Sequence, residues 1–206
     1  KYKPILYKEF LLSKDARRLS WERKFRDVYG IDSAKPNKAH YAITKLVSQK
    51  KISAIITQNI DALHQASGTP NEKVIELHGN NSYAVCLNCG QRYDLEPIRV
   101  EFEENGGLPC CHKCGGLVKV GTISFGQSLP EDAILRAQEA TLSCDYFIVA
   151  GSSLTVYPAA GFVKLANKTG AYLAIINRDV TPLDGLADII LRQEIGQTLN
   201  ELVNDN

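Results

Sequence analysis

Methionine is missing from the chain altogether, tryptophan occurs once and histidine four times. A chain without methionine cannot be a whole primary translation product as written, so residues upstream of Lys1 are expected. An excess of charge of either sign is missing too, since 24 basic residues against 23 acidic ones leave +1. Such a balance supplies no field of the kind that draws proteins non-specifically to DNA or acidic membranes, so a nucleic-acid role would need a local patch. No apolar run approaches the roughly 18 residues of a membrane span. The segment from Lys1 to Ser20 interleaves Lys, Glu, Asp and Arg with apolar positions, unlike a secretion signal. These absences predict a cytoplasmic protein with no membrane partner. Gly at 15 and Pro at 8 of 206 residues are too few for a collagenous or low-complexity chain. What is present, 44% apolar and 23% charged residues, suits a packed chain of one large or two small domains that needs no covalent staples.

Helical spacing of Ala39, Ala42, Ile43, Leu46 and Val47 behind Pro36 predicts a helix over 37–50, followed at once by a β-rich strand over 52–57. The alternation returns downstream as a helix over 130–143, a strand over 146–150, a helix over 158–169 and a strand over 171–176. A further strand over 189–191 and a closing helix over 195–203 complete the pattern. Strands alternating with helices predict an α/β fold with a doubly wound parallel sheet. Three strands run into small or polar tips: Thr57-Gln58-Asn59, Gly151-Ser152-Ser153 and Asn177-Arg178. Any one tip is what a turn requires anyway. Three along the carboxyl edge of an open parallel sheet predict a shared nucleotide site.

Residues 80–120 break the alternation, being rich in Asn, Gly and Cys with short β-like pieces over 82–85 and 91–93, and predict a small module interrupting the sheet. Residues 1–35 are charged and aromatic, with Phe10, Leu19, Trp21 and Phe25 spaced as in short amphipathic helices, and Trp21 is expected in a core. Within the module, Cys86-Leu87-Asn88-Cys89 and Cys111-His112-Lys113-Cys114 form paired C-x2-C turns 21 residues apart, the usual spacing of a structural zinc site. A two-residue gap lets both thiolates of one turn converge on a tetrahedral ion. Four thiolates, Cys86, Cys89, Cys111 and Cys114, leave no open position for a substrate, so the zinc is expected to be structural. Cys110 competes with Cys111, and His112 could replace a thiolate, but only Cys111 stands from Cys114 as Cys86 does from Cys89. Cys144, ahead of a strand, is expected to be an inert core residue. Arg92, Arg99, Lys113 and Lys119 are outnumbered by Asp94, Glu96, Glu101, Glu103 and Glu104, which argues against a nucleic-acid ribbon.

Several segments together resemble the sirtuins, the NAD-dependent protein lysine deacylases. They are Thr57-Gln58-Asn59-Ile60-Asp61-Ala62-Leu63-His64, Leu77-His78-Gly79, the paired cysteines, Gly121 to Gln127, Gly151 to Pro158, and Ile176-Asn177, in that order. The resemblance runs from about Pro36 to the end of the chain. It implies a Rossmann-like domain over 36–81 and 118–206, a zinc-binding module over 82–117 and a helical subdomain over 1–35, with acylated lysine and NAD meeting in the cleft between them. Carried over by position, Gln58, Asn59 and Asp61 line the nicotinamide end. Gly151, Ser152 and Ser153 contact phosphate and ribose, Asn177 the adenosine ribose, and Ile195 covers the adenine. His78 is implied as the general base that helps deprotonate a ribose hydroxyl after the acyl oxygen has displaced nicotinamide, a task suited to imidazole because it exchanges protons near neutral pH. His64 is implied as structural and His40 as a helix-start residue. Ile123 and Phe125 are implied as the wall of the acyl-lysine tunnel. Gly126, Val156 and Tyr157 lie on two segments between which a substrate backbone inserts as an added strand.

The sequence departs from the family's pattern in places. Gln127 stands where many members have Glu and Ser124 where many have an aromatic residue, which bears on acyl and peptide preference rather than on the reaction. A Gly-Ala-Gly turn after a first strand and an Asp-Phe-Arg segment open the family and do not occur here. The 206 residues by themselves are therefore expected to bind NAD poorly and turn over little substrate. The predicted function is transfer of an acyl group from lysine to ADP-ribose with release of nicotinamide, on acylated proteins or peptides. A hydride-transferring dehydrogenase is the enzymatic alternative. An impaired sirtuin fragment acting as a zinc-containing protein-binding module is the non-enzymatic one.

Overall fold

A computed structural model of the chain describes residues 3–204. Lys1, Tyr2, Asp205 and Asn206, which the expected domain bounds include, lie outside the described residues. The elements are α1 (Tyr7–Leu12), α2 (Lys14–Phe25), α3 (Lys38–Ser48), β1 (Ile55–Thr57), α4 (Leu63–Ala66), β2 (Val74–Glu76), β3 (Gly79–Cys86), β4 (Arg92–Tyr93), α5 (Leu95–Asn105), β5 (Val118–Thr122), α6 (Glu131–Leu142), β6 (Tyr146–Ala150), α7 (Ala159–Lys168), β7 (Tyr172–Ile176), β8 (Ile189–Leu191) and α8 (Ile195–Asn204). They belong to two compact units. One contains residues up to Ala34, Asn59–Ala62 and His78–Pro130; the other contains Lys35–Gln58, Leu63–Leu77 and Glu131 onward.

The second unit carries every parallel pair. Strand β1 pairs with β2, while β6, β7 and β8 form a three-stranded sheet in sequence order. In β7, Leu173, Ile175 and Ile176 are all fully buried, as expected of the middle strand. Strand β6 has one neighbour among the described residues, β7. Val149 points into the core but Tyr146 and Ile148 are 72% and 47% exposed, so β6 alternates as a one-sided edge strand does. Behind the sheet, Val149, Leu154, Ala160, Val163, Leu173 and Ile175 make one core cluster. Ala42, Leu46, Ile176, Leu199 and Val203 make another, where α3 meets α8.

Helix α3 starts where Asn37 accepts bonds from the amides of Ala39 and His40, a cap reinforced by the His40 ring. It ends when the amides of Lys51 and Ile52 fold back onto the Leu46 carbonyl. Ile52 is thereby drawn into the α3–α8 cluster, and β1 begins at Ile55, three residues later than the periodicity predicts.

The first unit is antiparallel, with strand order β4-β3-β5. Its core joins Trp21 and Phe25 of α2 to Ala84, Cys86, Val118 and Val120 of the sheet and to Ile98 of α5. Trp21 is 1% exposed and stacks on Phe25 at 5.4 Å, so the expected core role holds. Helix α5 lies within the cysteine-bearing segment, where only β-like pieces are expected from the sequence. Pro97 is tolerated in its first turn, and Gly106 ends it in the left-handed region at φ 62°. Among the described residues, no helix is long and apolar enough to cross a membrane.

Candidate functional site

In the second unit, the polar strand tips come together. The Gln58 amide donates to the Ser152 hydroxyl at 3.3 Å, joining the end of β1 to the end of β6. Gly151 donates to the Ile176 carbonyl and Asn177 to the Leu191 carbonyl, so the loops leave the sheet from a continuous ladder. Beyond these carboxyl ends lies a cavity of about 360 Å³ lined by Gly151, Ser153, Asn177, Arg178, Glu194 and Ile195 among others. Gly151 has a φ of 68°, and a Cβ there would stand 2.7 Å from the Ile195 Cδ1. The positive φ favours glycine here, and a side chain would push the Ile195 terminal methyl aside. Four of the eight residues expected to bind cofactor (Gly151, Ser153, Asn177 and Ile195) line this cavity. The Ser152 hydroxyl oxygen accepts from the Gln58 amide and from the Leu154 backbone amide, which fixes the turn.

The sequence offered no sign of what rigidifies the cavity's outer wall. Arg192 donates to the carbonyls of Asn177 and Asp179 and pairs with Asp184. Asp184 in turn accepts from the Thr181 hydroxyl and amide. The Thr181 hydroxyl, together with Arg192, holds the Asp184 carboxyl below its ordinary range, although burial works against it. Arg178 and Glu194, both exposed, bridge at 3.2 Å. A lone Arg or Asp in such a loop carries no motif, so these positions are visible only in the structure.

The first unit holds Asn59, Asp61 and His78. His78 is half-buried, and its carbonyl accepts from the Ile123 amide at 2.8 Å. Gly79 follows at a φ of 69°, where a Cβ would stand 2.0 Å from the Gly121 carbonyl oxygen. Only glycine lets β3 lie this close to β5, so the residue after His78 fixes the histidine's backbone against the segment carrying Ile123. Phe125 is 67% exposed and its carbonyl accepts from the Tyr7 amide of α1. The two departures at Ser124 and Gln127 turn out to be partners. The Ser124 amide donates to the Gln127 side chain, and the Gln127 amide to the Ser124 carbonyl, closing a turn around Gly126. Val156 and Tyr157, the other expected peptide contacts, lie exposed in the second unit. His40 sits in its helix cap as expected, with its ring 5.0 Å from that of His64.

The sulfurs of Cys86, Cys89, Cys111 and Cys114 all lie within 4.8 Å of one another. The Cys86–Cys114 and Cys89–Cys111 separations are 3.5 and 3.6 Å. Four sulfurs around a zinc ion at ~2.3 Å stand roughly 3.8 Å apart, so the cluster fits a tetrahedral structural zinc. Cys110 instead bridges to Leu117 outside the cluster, consistent with the spacing argument. The Tyr93 hydroxyl donates to Cys111 at 3.0 Å and is the main cause that brings its thiol down to about 6. At Cys114 the Gly116 amide pulls downward, but the Cys86 and Cys89 side chains outweigh it and push the thiol up to about 12. Thiols forced apart in this way cannot all ionise together unless a cation shares the cluster. Cys144 is half-buried and donates to the Thr141 carbonyl, and burial raises its thiol, as an unreactive residue requires.

The chain is similar to known proteins over nearly all of its length. Residues 2–158 match the model of the Sir2 family. An NAD-dependent protein deacetylase of Rhodopseudomonas palustris is 47% identical over 202 residues, covering 98% of this chain and 80% of that protein. NAD-dependent protein deacylase 2 of Archaeoglobus fulgidus is 40% identical over 173 residues, covering 84% and 67%. Among solved structures, a Sir2 protein bound to an acetylated peptide superimposes with a TM-score of 0.87 at 31% identity, covering 98% of this chain and 82% of that one. With strand tips, paired cysteines and His78 placed as described, and with 47% identity to a curated relative, the chain belongs to the Sir2 family, the sirtuins.

Proposed function

We propose that the protein is an NAD-dependent protein lysine deacylase, transferring the acyl group of an acylated lysine to ADP-ribose and releasing nicotinamide. The observation that carries this reading is the pairing of family membership with a polar cavity at the carboxyl ends of parallel strands, lined by the family's Gly151, Ser153 and Asn177. NAD, when bound, supplies the acyl acceptor and the labile glycosidic bond. Ser153 would offer its backbone N–H to phosphate, and Gly151, whose own N–H is held by the Ile176 carbonyl, would let the phosphate approach closely. Asn177 would hold a ribose, and Ile195 would cover the adenine. Gln58, Asn59 and Asp61 would bind the nicotinamide end through amide and carboxylate groups.

His78 would accept the proton of a ribose hydroxyl, which makes it the general base. Ile123 and Phe125 would wall the acyl-lysine tunnel, and Gly126, Val156 and Tyr157 would bind the peptide through main-chain bonds with weak sequence demands. Zinc on the four cysteines would hold the module together and take no part in the chemistry. We keep 82–117 as the zinc module, 36–81 with 118–206 as the cofactor domain and 1–35 as the helical subdomain. A cytoplasmic location and partners limited to acylated proteins, with neither nucleic acid nor membrane among them, belong to the same proposal. Nicotinamide release measured with and without an acetyl-lysine peptide is the test. Release that requires the peptide supports the reading, whereas reversible change in nicotinamide absorbance without bond cleavage would establish hydride transfer instead.

A further inference from the structure

In the first unit, β3 pairs with β5 at Gly79–Thr122 and again at Ala84–Val120, so residues 80–83 stand opposite Gly121 alone. Such a bulge releases backbone groups from the ladder and aims them elsewhere. The Asn81 amide donates to the Ile60 carbonyl at 2.8 Å. Ile60 lies between Asn59 and Asp61, so the bulge grips the backbone of the two residues proposed above for the nicotinamide end. The bulge is itself tied down from α2. The Asn81 side-chain amide donates to the Asp32 carboxylate at 2.7 Å, and the Lys24 ammonium donates to both oxygens of that carboxylate at 2.5 and 2.7 Å. The Lys24 side chain is 8% exposed, so this pair is less open to solvent than a surface ion pair of little worth. Asp32 reaches its place because the chain after α2 turns around Asp27, whose carboxylate accepts from the amides of Ile31, Asp32 and Ser33. The Asp32 amide is the main cause that holds the Asp27 carboxyl below its ordinary range, although burial works against it.

We propose that Asp32 is a positioning residue for the nicotinamide end of the site: it holds Asn81, and Asn81 holds the backbone that carries Asn59 and Asp61. The chemistry of that end rests on the deacylase reading, whereas the bonds that run from Lys24 through Asp32 and Asn81 to Ile60 do not. A carboxylate suits position 32 because one of its oxygens accepts from Lys24 and Asn81 together, and both bonds are charge-assisted. Without it, Asn59 and Asp61 remain present but lose the register of their backbone. Nicotinamide recognition then weakens, while a ligand that ends at the ribose keeps its affinity.

The test compares Asp32→Ala and Asn81→Ala with the unaltered protein. Glu103→Gln, which opens an exposed pair with Arg99 in the same unit, is the control. Two quantities are measured: hydrogen exchange of the amide at position 81 by nuclear magnetic resonance, and calorimetric affinity for NAD and for ADP-ribose, which differ by the nicotinamide. Exchange faster by about tenfold, with NAD affinity lower by about tenfold and ADP-ribose affinity within about twofold, supports the proposal. Unchanged exchange in the variants overturns it, and so does an equal effect on both ligands, which is what a merely structural role produces. If Asp32→Ala does not fold, because Lys24 is left buried without its counter-charge, Asn81→Ala carries both measurements, since it leaves Lys24 paired with Asp32. An unaltered protein that releases no nicotinamide from NAD in the presence of an acetyl-lysine peptide, while the variants still show faster exchange, overturns the deacylase reading and not the tie between Asp32 and Asn81.

Discussion

The two units reach stability by different routes. The second unit repeats strand and helix, buries Leu173 and Ile175 completely, and closes two aliphatic clusters around its parallel strands. The first unit has short antiparallel strands, packs Trp21 against a small sheet, and gathers four thiols within 4.8 Å. The four thiols offer this unit a metal tie across its short strands. A substitution therefore acts through different physics in each unit: a cavity in the second, ligand loss in the first.

The largest expected effect is therefore in the cysteine cluster. Cys111→Ser should release zinc and unfold the segment around β3, β4 and β5, because structural zinc sites contribute apparent binding energies of about 10–16 kcal/mol in small modules. Cys110→Ser should keep both zinc and fold. Metal analysis together with near-ultraviolet circular dichroism checks this pair, and the reverse outcome would overturn the ligand assignment. Next come two packing changes, one per unit. Leu173→Ala should cost roughly 2–5 kcal/mol in chemical denaturation without loss of zinc. Gly79→Ala should cost a similar amount, roughly 2–5 kcal/mol, by forcing β3 away from β5 and straining a positive φ. A milder loss for Gly79→Ala than for Leu173→Ala would mean that the strand crossing at Gly121 yields more easily than its geometry implies.

The smallest effect concerns Lys119. Its folded-state value of about 8 lies below its ordinary 10.5, so the unfolded chain binds more protons between those pH values. Stability should rise with pH across that window by on the order of 2 kcal/mol, and Lys119→Met should lack the rise. Denaturation of both proteins at pH 7 and pH 10 measures the difference, and parallel pH profiles would show that the amine is solvated.

The second unit was also the more legible. Helices α3, α6, α7 and α8 and strands β6 and β7 follow from apolar spacing because each buries a face in a core, and β8 is read from its short apolar run although Ile189 and Ile190 are exposed. Strand β2 is three residues long and follows a single tight turn, too short for periodicity to register. Helix α5 buries only Ile98 fully, among charged neighbours, so its apolar face leaves almost no trace. At the sites, paired spacing made the cysteines legible, and the strand tips pointed to the cavity. Arg192 and Asp184 were hidden because their role depends on loop closure, and Lys119 because an isolated lysine reads as solvent-exposed.

In the proposed deacylase, Gly151, Ser153 and Asn177 would hold the cofactor and His78 would move a proton. NAD affinity by calorimetry and acetyl-lysine turnover, measured side by side for the protein and for His78→Ala, test it most directly. In His78→Ala, affinity should stay within a few-fold while turnover falls by about 10²- to 10⁴-fold, the usual cost of a positioned base. Near-normal turnover in the variant, or a loss of affinity that matches the loss of turnover, would contradict it.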